Sequence, residues 1–338
     1  MRRYIIREVR HVVDVSSLEG IWPVMPTPYT ESDEIDLDCV KALVHWYVES
    51  GCNGVLVSGS GGEFPYLTIE ERIALTRAAV EASEGRIPIM CGLGPMGTKE
   101  ATNQARDAVR RGASFVLAAM PTYYPISFLD ALDHYRAIAD AAFGRALYYH
   151  FPQTTRFDPG PEGAARISSL DGLLGIKMSR PNLREMRIVL KLTDQRPFAL
   201  FSGTVLLLEE VMSMGGAGSI GIIPAVFPKE SAEWFAALKR GDKSGANRAS
   251  RTIKKAIGLL AGFGAPAIVQ YWGLKVVSKL PFPVSLGSSS NHAAVKEALR
   301  LRGFPIRTDV RGPLPKLTMK TADEVATLLR RLKILDYT

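Results

Sequence analysis

The chain alternates short apolar runs with longer stretches whose apolar residues recur every three or four positions. The runs open near Ile21, Gly54, Pro88, Phe115, Arg145, Leu174, Phe198 and Gly218, and turn formers bound them. A short apolar run of this kind is the signature of a strand buried on both faces. Between the runs, residues 37–50, 68–83, 98–111, 127–142 and 182–192 carry helical periodicity. Many of these stretches open on Thr, Ser or Asp and close near Gly, as capping chemistry prefers. Strands that alternate with helices predict parallel βαβ units. Eight units, with residues 228–240 as the eighth helix, fit a closed (β/α)8 TIM barrel of the α/β class better than an open doubly wound sheet.

Residues 1–20 show no clear period and read as an N-terminal arm, leaving residues 21–242 for the barrel. Residues 243–338 read as a C-terminal helical region, with helices over 246–260, 265–278, 293–301 and 322–332. A polar link over 280–291 joins two of them.

Composition narrows the partners. The 338 residues are 46% hydrophobic and 22% charged, which is ordinary for a globular protein. The net charge of +8 is spread between Arg2, Arg3, Arg7 and Arg10 and a late group from Lys239 to Lys255. No nucleic-acid motif accompanies it, so solvated helix faces are expected and no nucleic-acid partner. A modest positive field favours small carboxylate substrates. Cys39, Cys52 and Cys91 lie far apart, and the histidines at 11, 45, 134, 150 and 292 form no cluster. The expectation is a cytoplasmic protein with reduced thiols, no metal, no organic cofactor and no membrane-spanning run.

Active sites of such barrels lie at the C-terminal ends of the strands. The second strand runs into Gly59-Ser60-Gly61-Gly62-Glu63, and residues 120–125 after the fourth include Tyr123 and Tyr124. The fifth strand ends at Tyr149-His150-Phe151-Pro152, the sixth at Lys177 and the seventh at Ser202-Gly203-Thr204. Lys177 is the unusual member, because it closes the apolar run Leu173-Leu174-Gly175-Ile176. Burial disfavours the charged form of an amine, and a neutral amine attacks carbonyl carbons to form Schiff bases. The bland alternative is a lysine that snorkels to water. Schiff-base chemistry needs a proton relay, and tyrosine and serine hydroxyls donate and accept at once.

The glycine-rich turn precedes a helix near Thr68, so its free backbone N–H groups suit a carboxylate. It lacks the Gly-Lys-Ser/Thr ending of a nucleotide P-loop. Gly216, Gly218 and Gly221 spell a GxGxxG pattern, but it opens a strand, the reverse of the dinucleotide-binding context.

Together the Gly59-Ser60-x-Gly62-Glu63 turn, Tyr149 with Pro152, Gly175-Ile176-Lys177 and Arg311-Gly312-Pro313-Leu314 carry a resemblance. Over residues 20–310 the chain resembles the dihydrodipicolinate synthase/N-acetylneuraminate lyase family of pyruvate-dependent class I aldolases. The resemblance implies that Lys177 forms the imine and Tyr149 shuttles protons. It also implies that Ser60 links Tyr149 to a Tyr123 supplied by a neighbouring subunit. Substrate binding would fall to Gly59, Ser60, Gly61, Ser179, Gly203, Ser219 and Ile220, with the amides of Ser60 and Gly61 on the pyruvate carboxylate. A homotetramer, built as a dimer of dimers, is implied as well.

Departures from the family pattern concern the second substrate. Synthases carry an arginine five residues after the shuttle tyrosine, where this chain has Thr154, with Arg156 two residues on. Sialic acid lyases place acidic residues where this chain has Val205 and Leu206. Gly61 replaces a threonine and His150 an asparagine, and the run from Gly62 to Thr68 resembles hydroxy-oxo-acid and keto-deoxy sugar-acid enzymes of the family. The leading expectation is a Schiff-base lyase, aldolase or dehydratase, acting on pyruvate or on a 4-hydroxy-2-oxo or 2-keto-3-deoxy acid. The alternatives are dihydrodipicolinate synthase and, from a different class, a non-catalytic barrel that binds a 2-oxo acid.

Overall fold

The structure, a computed structural model, describes residues 17–121, 123–262, 265–284 and 291–334. Most of the expected N-terminal arm and residues 285–290 of the expected link lie outside the described residues. Eight parallel strands form the barrel: β1 (Gly20–Pro23), β2 (Val55–Val57), β3 (Ile89–Leu93), β4 (Phe115–Ala119), β5 (Ala146–His150), β6 (Leu173–Met178), β7 (Ala199–Ser202) and β8 (Gly218–Gly221). Each begins within one residue of the apolar run that predicts it. The pairing order β1-β8-β7-β6-β5-β4-β3-β2 closes on itself through a parallel bridge between Val24 and Leu56.

Strand alternation sorts the core into two layers. Trp22, Leu56, Met90, Phe115, Leu117, Leu147, Phe201 and Ile220 point into the barrel, where Trp22 packs edge-on against Phe115 and Phe201. Ile21, Val55, Val57, Val116, Tyr148, Ile176 and Leu200 point outward and meet the apolar stripes of the helices. Helix Leu37–Glu49 is typical: Asp36 caps its start by accepting from the Cys39 amide, and Val40, Leu43, Val44 and Tyr47 bury one face.

Helix boundaries move where capping residues, not apolar ones, set them. The helix expected from residue 246 starts at Lys243, because Asp242 accepts from the Gly245 amide, and it breaks before Gly258–Ala261. Helix Met319–Arg331 likewise starts at its Thr318 cap, ahead of the expected residue 322. Helix Gly160–Ser168 was hidden by its Gly- and Pro-rich opening, yet proline is tolerated in a first helical turn and Ala164, Ala165 and Ile167 are buried. Helices Ala267–Ser278, His292–Leu301 and Met319–Arg331 follow the barrel. Phe304, just past the second of these, packs its ring 4.8 Å from Trp46 on the barrel's first helix.

Candidate active site

The open end of the barrel brings Lys177, Tyr149, Ser60 and Ser179 together. Tyr149 on β5, Lys177 on β6 and Phe201 on β7 share one register, so all three side chains enter the interior at one level. The Lys177 side chain is 3% exposed, and its Nζ lies 4.3 Å from the centroid of the Tyr149 ring. The Tyr149 hydroxyl accepts from Ser179 Oγ at 3.3 Å and lies 3.4 Å from Ser60 Oγ. Three hydroxyls and an amine therefore converge from β2, β5 and β6.

Two other lysines are buried, and their surroundings show what an ordinary buried ammonium requires. Lys275 pairs with Glu210 at 2.5 Å, and Lys296 pairs with Glu63 at 2.5 Å where both side chains are fully buried. Burial pushes the amines of Lys275 and Lys296 below the usual lysine range against the pull of those carboxylates. Lys177 has no carboxylate partner among the described residues. Its Nζ faces the Tyr149 ring instead.

The glycine-rich turn folds as two tight turns, Ser60–Gly62 and Phe64–Tyr66, ahead of helix Ile69–Ser83. The turn precedes that helix, as expected, without forming its N-terminus: Thr68 and Glu71 form a capping box in which each side chain accepts from the other's amide. The amides of Gly62, Glu63 and Phe64 are spent on Gly59 and Ser60 carbonyls. Those of Ser60 and Gly61 make no hydrogen bond among the described residues. A Cβ on Gly61 would stand 3.0 Å from Ile222 and 3.1 Å from Val24, so these side chains occupy the space a threonine there would need. At Gly203 a Cβ would fall 2.2 Å from Ser179 Oγ, and only glycine lets β7 pass that close to the hydroxyl on Tyr149.

Other predicted residues sit less directly. Ser219 is in register with Ile21 on the outward face, and its hydroxyl donates to the Ser202 carbonyl. Ile220 points inward and packs with Trp22, so both contribute backbone, not polar side chains, at the end of β8. Tyr123 is 87% exposed and stacks edge-on with the 73% exposed Tyr124. Within this chain it makes no hydrogen bond to Ser60 or Tyr149 among the described residues. Val205 and Leu206 are fully buried and offer a polyol nothing to bond.

A charge cluster centred on the buried Arg180 escaped sequence reasoning. Arg180, next to Ser179, forms bidentate pairs with Glu185 and Asp158, and Gln153 donates to the Ser179 carbonyl at 3.3 Å. These bonds tie the loop after β5 to the end of β6. Burial works against the Arg180 charge, but its two carboxylate partners hold the guanidinium above its ordinary range. The five-residue spacing of Arg180 and Glu185 around Asn182, whose side chain caps helix Leu183–Leu192, was the available clue. Burial, aided by Arg180, pushes His150 down to about 3, so its imidazole stays neutral 2.9 Å from the Tyr148 hydroxyl. Thr154 is exposed, and Arg156 is exposed in a left-handed conformation with φ of 58°. Among the described residues no group of three His, Cys, Asp or Glu is placed to hold a metal.

The profile of the dihydrodipicolinate synthetase family matches residues 17–285. The 4-hydroxy-tetrahydrodipicolinate synthase of Pseudomonas savastanoi pv. phaseolicola is 28% identical over 290 residues, covering 85% of this chain and 99% of its own. That of Leptothrix cholodnii is 32% identical over 230 residues, covering 68% and 78%. The dihydrodipicolinate synthase of Thermotoga maritima superposes with a TM-score of 0.79 at 26% identity over 94% of this chain and all of its own. YagE, an E. coli K12 prophage protein of the dihydrodipicolinic acid synthase family solved with pyruvate, has the same fold, with a TM-score of 0.81 at 24% identity over 94% and 99%. The chain therefore belongs to the dihydrodipicolinate synthetase family, a family of pyruvate-dependent lyases of the class I aldolase type.

Proposed function

We propose that the protein is a Schiff-base lyase acting on a 2-oxo acid, with Lys177 as nucleophile and Tyr149 as proton shuttle. The observation that carries this reading is a buried lysine without an acidic partner among the described residues, set 4.3 Å from a tyrosine ring whose hydroxyl meets two serines. Lys177 Nζ attacks C2 of the oxo acid and water leaves, giving a protonated imine. In a 4-hydroxy-2-oxo acid, the C4 hydroxyl gives up its proton while the C3–C4 bond breaks. The aldehyde departs, and the bonding electrons move into an enamine conjugated to the imine nitrogen. A proton returns to C3, and water hydrolyses the imine to release pyruvate. In this reading Tyr149 carries these protons, which its hydrogen bonds with Ser60 and Ser179 support. The unengaged amides of Ser60 and Gly61 receive the carboxylate. A dehydratase acting on a 2-keto-3-deoxy acid would use the same imine: C3 loses a proton to give the enamine, whose electrons expel the C4 hydroxyl as water once it is protonated.

Assembly belongs to the same proposal. Tyr123 and Tyr124 form an exposed aromatic pair beside the site's end of the barrel, and a second copy of the chain in a homotetramer would bring Tyr123 to its neighbour's relay. The three buried, unpaired cysteines suit a reducing, cytoplasmic compartment.

The names of the relatives favour a second reading, condensation of pyruvate with aspartate semialdehyde. Against it stands Thr154, where a synthase holds the semialdehyde carboxylate with arginine. Each charge-assisted hydrogen bond to such an anion is worth roughly 1.5–3 kcal/mol, or about ten- to hundred-fold in kcat/KM. Cleavage of 4-hydroxy-2-oxo acids or turnover of keto-deoxy sugar acids is therefore expected to exceed condensation in kcat/KM on one preparation. Efficient condensation would reverse the assignment, and Arg156→Ala would then show whether that displaced arginine binds the semialdehyde.

A further inference from the structure

The carboxylate-binding turn is gripped from outside the barrel. His292, the first residue of helix His292–Leu301, places Nε2 2.8 Å from the Ser60 carbonyl oxygen. A carbonyl only accepts, so Nε2 carries the proton and donates. Nδ1 is buried without a hydrogen-bond partner among the described residues. One turn along the same helix, Lys296 pairs with Glu63 at 2.5 Å and donates to the Asp309 carbonyl at 2.6 Å. The other Glu63 oxygen accepts from the Arg311 amide at 2.9 Å. The guanidinium of Arg311 bonds the Tyr66 carbonyl at 3.0 Å and pairs with Glu71, so the hold continues to the start of the following helix.

The peptide that His292 engages is the one joining Ser60 to Gly61. Its carbonyl faces the imidazole, and its N–H is the unengaged amide of Gly61. Peptide planarity makes the two directions one variable: fixing the oxygen fixes where the N–H points. Donation to the carbonyl also polarises that peptide, which strengthens its N–H as a donor. The glycine at 61 leaves this peptide without a side chain of its own to restrain it, so an external restraint has the more to do.

We propose that His292 is a positioning residue that orients the Ser60–Gly61 peptide, and with it Ser60 Oγ at Tyr149, for the substrate carboxylate. The part concerning substrate rests on the Schiff-base reading above; the part concerning the turn does not.

The test compares the full-length protein with His292→Ala and His292→Gln, the latter keeping an N–H donor near the position of Nε2. Two quantities are read: amide deuterium exchange in peptides spanning residues 59–64, and the pyruvate concentration giving half-maximal borohydride trapping. The alanine variant is expected to exchange faster in that turn and to need roughly three- to ten-fold more pyruvate, the scale of one lost hydrogen bond. Maximal trapping should persist, and glutamine should restore both quantities. Unchanged exchange and unchanged half-saturation in the alanine variant would overturn the proposal. So would changes in both that glutamine fails to restore, since those would mark a merely structural role. If the wild-type protein traps no 2-oxo acid, the Schiff-base reading fails, and the exchange data still decide whether His292 orients the turn.

Discussion

Tyr149 is the residue whose hydroxyl the site is arranged around, and its removal separates chemistry from binding. Tyr149→Phe keeps the ring against Lys177 and deletes the oxygen that Ser60 and Ser179 meet. Turnover is expected to fall by on the order of 10²-fold or more, as for a lost general acid–base group, while half-saturation changes far less. Unchanged kcat would remove Tyr149 from the relay. At this scale the sequence disclosed the residues that strand ends must bring together, because Lys177 and Tyr149 interrupt apolar runs at the level where barrel sites form. It did not show which way Ser219 points: that residue lies one register position from the inward face, and in a strand one position reverses the side chain. It could not show His292 at Ser60, a contact across 232 positions.

Between elements, the pair of Glu63 and Lys296 joins the glycine-rich turn to a helix well beyond the barrel. Desolvating both charges is costly, so the pair is a joint that tolerates poorly the loss of one side. Lys296→Met, which leaves Glu63 buried without its cation, is expected to destabilise the fold by about 3–5 kcal/mol. Adding Glu63→Gln should recover part of that loss. Urea unfolding of the single and double variants checks it, and a single variant as stable as wild type would show that water reaches the pair. Strand positions were legible to within a residue because buried parallel strands are short apolar runs between turns. Helix starts were less so, because Asp242 and Thr318 begin their helices ahead of the first apolar residues.

For the molecule as a whole, buried histidines give stability a pH dependence of known sign. Burial lowers His150 to about 3 and His134 to about 4, from an ordinary value of 6.5. Above pH 6.5 neither the folded nor the unfolded chain protonates them, and the stability tied to their neutrality is fully present. As pH falls below 6.5 the unfolded chain takes up protons that the folded chain refuses, and each histidine then costs about 1.4 kcal/mol per pH unit. His150→Asn removes one such contribution, so between pH 6 and 4.5 its stability should fall less steeply by about that amount per unit. An unchanged slope in urea titrations would mean that His150 protonates inside the folded protein.

The most direct measurement is reductive trapping. The protein is treated with borohydride in the presence of pyruvate and of larger 2-oxo acids, and adducts are read by intact mass and peptide mapping. The expected result is one reduced adduct per chain, located at Lys177 and absent from Lys177→Ala. Trapping without turnover of any 2-oxo acid would leave a binding barrel in place of an enzyme. An adduct at another lysine, or none with any 2-oxo acid, would contradict the assignment of Lys177 as the nucleophile.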